Sequence, residues 1–278
     1  MALGRILLLG LALLSSGIPA FPWELVVAFT NDLHASLPRL PALKPYLTGA
    51  DLILDAGDIT EDLYRFTGIP EAEAITEWMG RVGYTAAVLG NHDMYLGPTL
   101  ERIVAGAHFP IVVTNMRGLA GVRRWLLVEV KGLRVLILGF LGTWPDVYYP
   151  WSLWPALKLL DPIPAAREAL KVAPEHDLLI FLGHMPLREA RELARAFPEC
   201  DLFILGHDHL FLKVPIWVGK VPIVQAGHRA QAVGIVTLGD KGFSYRLVRI
   251  PGEPKPLDRT GIILAAIIVA LLALIPRG

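Results

Sequence analysis

The chain has 278 residues, 54% of them hydrophobic, which is enough to bury one sizeable core or at most two domains. Its 26 basic and 26 acidic residues cancel and no run of Lys or Arg occurs, so nothing in the charge pattern supports a nucleic-acid surface. Cys200 is the only cysteine, which excludes an internal disulfide and a thiolate metal cluster and leaves the reading of a buried, inert thiol.

Taken in chain order, residues 1–20 carry Arg5, the apolar run Ile6–Leu14 and a small-residue stretch ending at Ala20. That pattern predicts a secretory signal with cleavage after Ala20; an uncleaved anchor is the rival reading, because Ile18 is larger than the residue usual there. Five short apolar runs follow, each closing on Asp, Asn or His. LVVAF (25–29) leads into Asn31-Asp32-Leu33-His34, and DLILDAG (51–57) stops at Asp58. TAAVLG (85–90) stops at Asn91-His92-Asp93, LLIFLG (178–183) at His184, and LFILG (202–206) at His207-Asp208-His209. Length, β-branching and flanking turn residues predict buried strands.

Between them, proline marks helix starts: Pro70 before EAEAITEWMGRVG, Pro98 in PTLERIVAGA, Pro164 before AAREALKV and Pro186 in PLREARELARAF. Hairpins are expected around Lys131-Gly132 and around Gly239–Gly242, the second closing the folded body near Ile250. The segment Gly142–Trp154 holds five aromatics and two prolines. It reads as a loop packed on itself, as a wall for a ring-bearing substrate, or as a contact with the membrane interface.

Residues 252–260 form a stiff, proline-rich linker, and Gly261–Ile275 lacks any polar side chain. At about 1.5 Å per residue that run spans roughly 22 Å, short of a ~30 Å hydrocarbon core unless Thr260 and Pro276 join it and Arg277 snorkels. A buried core helix is the alternative, but a helix apolar all round after such a linker favours a transmembrane anchor over 261–276. Arg277 would then be cytoplasmic and the body, residues 21–251, extracytoplasmic.

In layered α/β proteins chemistry collects beyond the carboxyl ends of the strands. Five strands that end in Asp, Asn or His would gather about seven oxygen and nitrogen ligands at one edge, more than one four-coordinate zinc needs and suited to two ions sharing a carboxylate. Hard and borderline donors without a thiolate suit Mn²⁺, Zn²⁺ or Fe²⁺, with manganese preferred. Singly each candidate is an ordinary turn Asp or hydrogen-bonded His; the ordered set carries the signal.

That set, Asp-x-His, Gly-Asp, Gly-Asn-His-Asp, Gly-His and Gly-His-x-His, resembles the calcineurin-like metallophosphoesterase superfamily over residues 25–238. NDLHA, LILDAGD, GYTAAVLGNHD, FPIVVTNM, DPIPAAREAL and PIVQAG make it most similar to the catalytic domain of the 5′-nucleotidase and 2′,3′-cyclic phosphodiesterase family. The resemblance implies a four-layer α/β/β/α sandwich of two mixed sheets. It implies that Asp32, His34 and His209 hold one metal, that Asn91, His184 and His207 hold the other, and that Asp58 bridges them. His92 would face the centre as a phosphate contact or leaving-group acid, and His228 would approach the substrate. Hydrolysis would proceed by in-line attack on phosphorus without a covalent enzyme intermediate.

Two departures stand out. The nucleotidase branch usually carries an Asp three residues after the histidine of Gly-Asn-His, which orients that imidazole; here the position is Tyr95, so either Asp93 or another group holds His92 or the acid step is weaker. The branch also adds a domain that stacks the nucleobase and supplies phosphate-binding arginines, where this sequence runs to its linker. The expected protein is therefore an exported, single-pass, membrane-anchored hydrolase of small phosphomonoesters or phosphodiesters, a nucleotide-like substrate first among them, with no nucleic-acid polymer as partner. A phospholipid or sugar-phosphate head-group hydrolase is the runner-up, the sulfur-oxidising relatives are a more distant option, and a non-catalytic envelope binding protein is disfavoured because all seven ligand positions and His92 are present.

Overall fold

The computed structural model describes residues 23–61, 69–143 and 157–252. The expected signal, the linker beyond Gly252, the apolar run 261–276 and the aromatic segment from Trp144 to Trp154 lie outside the described residues. Among the described residues no helix is long and apolar enough to cross a membrane.

Two mixed sheets organise the chain. The first has the order β13-β12-β1-β2-β3, built from β1 (Glu24–Thr30), β2 (Leu52–Asp55), β3 (Ala86–Ala87), β12 (Ala232–Gly239) and β13 (Gly242–Arg249). The second has the order β10-β11-β9-β8-β6-β5, from β5 (Leu126–Val130), β6 (Leu133–Leu141), β8 (Leu178–His184), β9 (Leu202–Gly206), β10 (Ile216–Val218) and β11 (Val221–Val224). A short ribbon pairs β4 (Met116–Arg117) with β7 (Lys158–Leu159). β1, β2 and β3 run parallel, as do β6, β8, β9 and β11, while the hairpins lie at the sheet edges.

Strand alternation decides where each side chain is buried. Val135, Ile137, Ile180, Leu182 and Ile204 join Val27, Leu54 and Val236 of the first sheet in one core. Their neighbours Leu136, Leu138, Phe140, Leu179, Phe181 and Phe203 point the other way. There they meet Ala166 and Ala169 of α4 (Pro162–Val172) and Ala190 and Leu193 of α5 (Leu187–Ala196). α1 (Leu40–Leu47), α2 (Ile69–Val82) and α3 (Leu100–Gly106) contribute Leu43, Ile75 and Ile103 to the first core.

Most expected elements form; α1, β4, β7, β10 and β11 are additions, and two expected elements change their bounds. The strand expected over 85–90 is confined to Ala86–Ala87, which pairs with β2 on one side and bridges to Ile111 on the other before the chain enters the loop that carries Asn91. α4 begins two residues before Pro164, since the Asp161 carboxylate accepts from the Ile163 amide at 2.9 Å and Pro162 suits the first turn. α1 is an addition to the expected elements: Pro41 and Pro45 both lie within it, and an internal proline reads as a breaker. Both hairpins occur where expected; Lys131 and Gly132 take φ of 52° and 78°, the left-handed pair a two-residue turn requires.

Phe181 is fully buried and meets Phe140, Phe197 and Phe203 edge-on at centroid distances of 5.0, 5.7 and 5.7 Å. Phe181→Ala should destabilise the fold by about 3–5 kcal/mol. A denaturation midpoint within experimental error of the parent would contradict this account of the helix-facing core.

Candidate metal centre

The parallel strands of both sheets end at one edge, and every expected ligand lies there. Asp32 and His34 follow β1, Asp58 follows β2, Asn91 follows the loop after β3, His184 ends β8, and His207 and His209 follow β9. The chain turns sharply at five of them: Asp32, His34, Asp58, His207 and His209 have φ of 51°, 45°, 52°, 93° and 56°. L-residues visit this region rarely, and its concentration at one edge marks a functional constraint.

Two groups of donor atoms form. His34 Nε2 lies 3.1 Å from His209 Nε2, and these two atoms lie 3.8 and 3.4 Å from Asp32 Oδ1. His184 Nε2 lies 3.1 Å from Asn91 Oδ1, and His207 Nδ1 lies 3.0 Å from the same oxygen. Asp58 Oδ2 sits between the groups, 3.8 Å from His34 Nε2 and 3.2 Å from His184 Nε2. Donors bound at about 2.1 Å to one ion stand roughly 3.0–3.4 Å apart, so this spacing fits two divalent cations with Asp58 shared. The donors are carboxylates, imidazoles and an amide oxygen, the expected chemistry.

Glycines make room for the shared carboxylate. A Cβ on Gly90 would fall 2.1 Å from Asp58 Oδ1, and one on Gly206 would fall 2.4 Å from the Ala56 carbonyl. These two glycines, each directly before a ligand, are thus packing requirements. Asp208, between the two histidines, faces away and accepts from the first amide of α5, Leu187 N, at 2.7 Å.

Burial alone would raise the Asp58 carboxyl, but the imidazoles of His184, His34 and His92 outweigh it and hold it well below the usual carboxylate range. Burial would likewise lower His184, yet Asp58 overrides it and keeps the imidazole protonated well above its ordinary value. The hydrogen bonds agree: Nδ1 donates to the Ala56 carbonyl at 2.8 Å while Nε2 faces only oxygens. His207, lowered to about 4 by burial and by the charge of His184, is neutral.

His92 is oriented by a residue the sequence did not single out. Its Nδ1 lies 2.7 Å from Glu61 Oε1, and its Nε2 faces the centre 3.9 Å from Asp58 Oδ2. Asp93 is committed elsewhere, accepting from the Gly90 and Thr60 amides and the Thr60 hydroxyl, each at 2.8 Å. Tyr95 meets the His92 ring edge-on at 5.9 Å. Glu61 also reaches His34 Nδ1 at 3.5 Å and Arg229 Nη2 at 2.8 Å. Burial would raise its carboxyl, but His34 and His92 hold it low and ionised. His34, Glu61 and His92 could be taken for a third cation site; the Arg229 guanidinium already supplies the positive charge there. Glu61 gave no sequence signal beyond lying three residues after Asp58.

His228 sits beside the first group, its ring 4.5 Å from that of His209. Burial and the neighbouring His209, His34 and Arg229 charges lower it to about 4, so it is neutral.

The model of the calcineurin-like phosphoesterases matches residues 25–211, which contain all seven candidate ligands. The chain belongs to the calcineurin-like phosphoesterase family. Members are metal-dependent hydrolases of phosphoric esters that use two divalent metals, and the two donor groups here match that requirement. Among curated proteins, Protein 5NUC of Lutzomyia longipalpis is 27% identical, over 86% of this chain and 50% of its own length. The 5′-nucleotidase of Rattus norvegicus is 26% identical, over 89% and 52%. Among solved structures, the 5′-nucleotidase precursor of Thermus thermophilus superposes with a TM-score of 0.67 at 24% identity, covering 90% of this chain and 60% of that one. The chain spans about half the length, or less, of the curated relatives it matches.

Because a metal ligand must offer a lone pair, loading this phosphoesterase at neutral pH should expel the proton held by His184. Apparent metal affinity should therefore rise with pH below the raised value of that imidazole. Calorimetric titration of Mn²⁺ or Zn²⁺ in buffers of different ionisation enthalpy would count the protons. Equal heats in all buffers would contradict the charge state assigned to the Asp58–His184 pair.

Proposed function

We propose that this phosphoesterase is an exported, membrane-tethered two-metal enzyme that hydrolyses small phosphomonoesters or phosphodiesters, a nucleotide being the leading substrate. In this reading residues 21–251 are one domain, a four-layer α/β/β/α sandwich, preceded by the signal 1–20 and followed by the linker 252–260 and the anchor 261–276. The observation that carries the chemistry is the convergence of the two donor groups on the shared carboxylate of Asp58.

Asp32, His34 and His209 are assigned to one ion and Asn91, His184 and His207 to the other, manganese being the preferred metal. Bound there, two cations lower the pKa of water and offset charge on the phosphoryl oxygens. The protein's own part is to fix and dry that geometry. Asp58 holds its charge between the groups, and the Ala56 carbonyl fixes the His184 tautomer. His92, pinned at Nδ1, presents Nε2 to the phosphoryl group or to the leaving oxygen. His228 presents a neutral, half-buried ring as a substrate contact.

One observation favours the second reading, a phospholipid or sugar-phosphate head group. Arg39, five residues after His34, donates to the carbonyls of Gly252 and Ile250 at 2.7 and 3.2 Å. The described body thus ends at the edge that carries the donor groups, and a short tether from there would turn that edge towards the bilayer.

The detergent-solubilised full chain, loaded with Mn²⁺, should turn over at least one ester in a panel of p-nitrophenyl phosphate, its bis ester, AMP, cyclic nucleotides and glycerophosphodiesters. Asp58→Asn should lose metal and activity together. His92→Asn should keep both metals and lose on the order of 10²–10⁴ in rate, with the smallest loss for p-nitrophenyl esters, whose leaving group needs little protonation. Near-normal turnover of alkyl phosphates by His92→Asn would remove that residue from the mechanism.

For topology, protease added to intact cells or spheroplasts should digest the body and spare Arg277. Protection of the body until the inner membrane is lysed would refute export.

A further inference from the structure

We propose that Arg229 is a phosphate-binding residue of this site, that Glu61 positions it, and that together with His92 they select the dianionic phosphoryl group of a phosphomonoester. The inference rests on the phosphoesterase reading and adds to it a residue and a substrate charge.

Arg229 stands in the loop between β11 and β12, and that loop is tied to the ligand edge by its backbone. The Arg229 amide donates to the Asp32 carbonyl at 2.6 Å, and Asn31 receives the Ala226 amide at 2.8 Å while its own side-chain amide reaches the Gly227 carbonyl at 2.6 Å. Arg229 and Ala230 take φ of 50° and 54°, a conformation that costs a non-glycine residue energy and persists only where the surroundings impose it. The backbone is therefore fixed for a reason other than its own preference.

The side chain is fixed as well. Nη2 contacts Glu61 Oε2 at 2.8 Å, and the other oxygen of the same carboxylate, Oε1, contacts His92 Nδ1 at 2.7 Å. One buried carboxylate thus holds two donors side by side at the mouth of the metal centre. The Arg229 side chain keeps 21% of its surface exposed against 3% for Glu61, so the guanidinium forms part of the wall and Glu61 lies behind it. A guanidinium has five N–H donors in a rigid fork suited to phosphate, and Glu61 engages one face of it. Glu61 also reaches His34 Nδ1 at 3.5 Å, so the guanidinium stands one side chain removed from a candidate ligand and from His92 alike.

Charge favours the monoester. Asp32 and Asp58 offset two of the four positive charges that two divalent ions bring, and Glu61 offsets Arg229, leaving a site that a phosphoryl dianion neutralises. A diester carries one charge fewer and a second substituent that must pass the same wall. A counter-ion role alone, with Arg229 serving only to neutralise Glu61, would not require the strained backbone or the exposure the side chain keeps.

The test is calorimetric binding of inorganic phosphate to the metal-loaded full chain, together with kinetics on p-nitrophenyl phosphate and its bis ester. Arg229→Gln should weaken phosphate binding and raise KM for the monoester roughly ten- to hundredfold, the range for one charge-assisted hydrogen bond. Metal content should be unchanged, kcat should change far less than KM, and the diester should be affected less than the monoester. Arg229→Lys should recover part of the affinity. Glu61→Gln should weaken phosphate binding in the same direction, because the guanidinium is no longer held. The double variant Arg229→Gln/Glu61→Gln leaves no buried unpaired carboxylate and should bind phosphate no worse than Arg229→Gln, which keeps the test available if the single variant does not fold. Unchanged phosphate affinity with both metals present, or equal losses on the two esters, would overturn the proposal. If the parent binds phosphate through Arg229 yet hydrolyses no ester, the phosphoesterase reading fails and this assignment stands.

Discussion

The buried carboxylate of Asp58 is the constraint to which the rest of the site answers. An ion of this kind taken from water costs several kcal/mol unless charge and hydrogen bonds replace the lost solvent. Here the His92 amide donates to Oδ1 at 2.8 Å, and the rings of His184 and His34 face Oδ2. The left-handed turn at Asp58 aims the side chain inward, and Gly90 has no Cβ because the carboxylate occupies that space. Each of these features is inexplicable as packing for its own sake: a Gly, a strained Asp and an inward-facing backbone amide would otherwise weaken the edge of a sheet.

A second carboxylate, Glu61, organises the outer layer of the same centre. It touches a candidate metal ligand through His34, a candidate catalytic group through His92, and a wall residue through Arg229. Tyr95 stands where the resemblance to the nucleotidase branch implies the acid for the histidine; in this chain the orienting carboxylate lies in the loop after β2. The physics is that of a carboxylate on Nδ1 that directs Nε2 towards the centre, supplied here by Glu61. Because that loop also bears Asp58, metal holding and His92 orientation depend on one backbone segment, residues 57–61.

Much of this was legible in the sequence, and the limits have physical causes. Strands closing on Asp, Asn or His are recognisable because parallel buried strands are continuous apolar runs and the donors sit at their ends. The ligands were therefore readable from the ordered motifs, and the structure brings all seven together. α1 was hidden because Pro41 and Pro45 read as breakers, although an eight-residue helix packed against β1 and β12 tolerates them. The strand at 85–90 was over-extended because Val88 and Leu89 are buried as the chain leaves the sheet, Val88 through one last bond to Asp55, and apolar loop residues read like strand residues. Glu61 and Arg229 were invisible for a different reason: they are 168 residues apart, and a lone acid or base carries no pattern until the fold makes the pair.

The position of the centre also links catalysis to stability. Each donor group draws from both sheets: Asp32 and His34 from the first with His209 from the second, and Asn91 from the first with His184 and His207 from the second. That edge brings together imidazole nitrogens only 3.1 Å apart beside the buried carboxylates of Asp32 and Asp58. The apolar core between the sheets cannot relieve this, since it lies below the turns and carries no charge. Ions that bind the folded chain alone add their binding free energy to its stability, and here they do so across the seam between the sheets. The strain of five left-handed ligand residues is then offset where it arises, at the edge where ligands from both sheets meet.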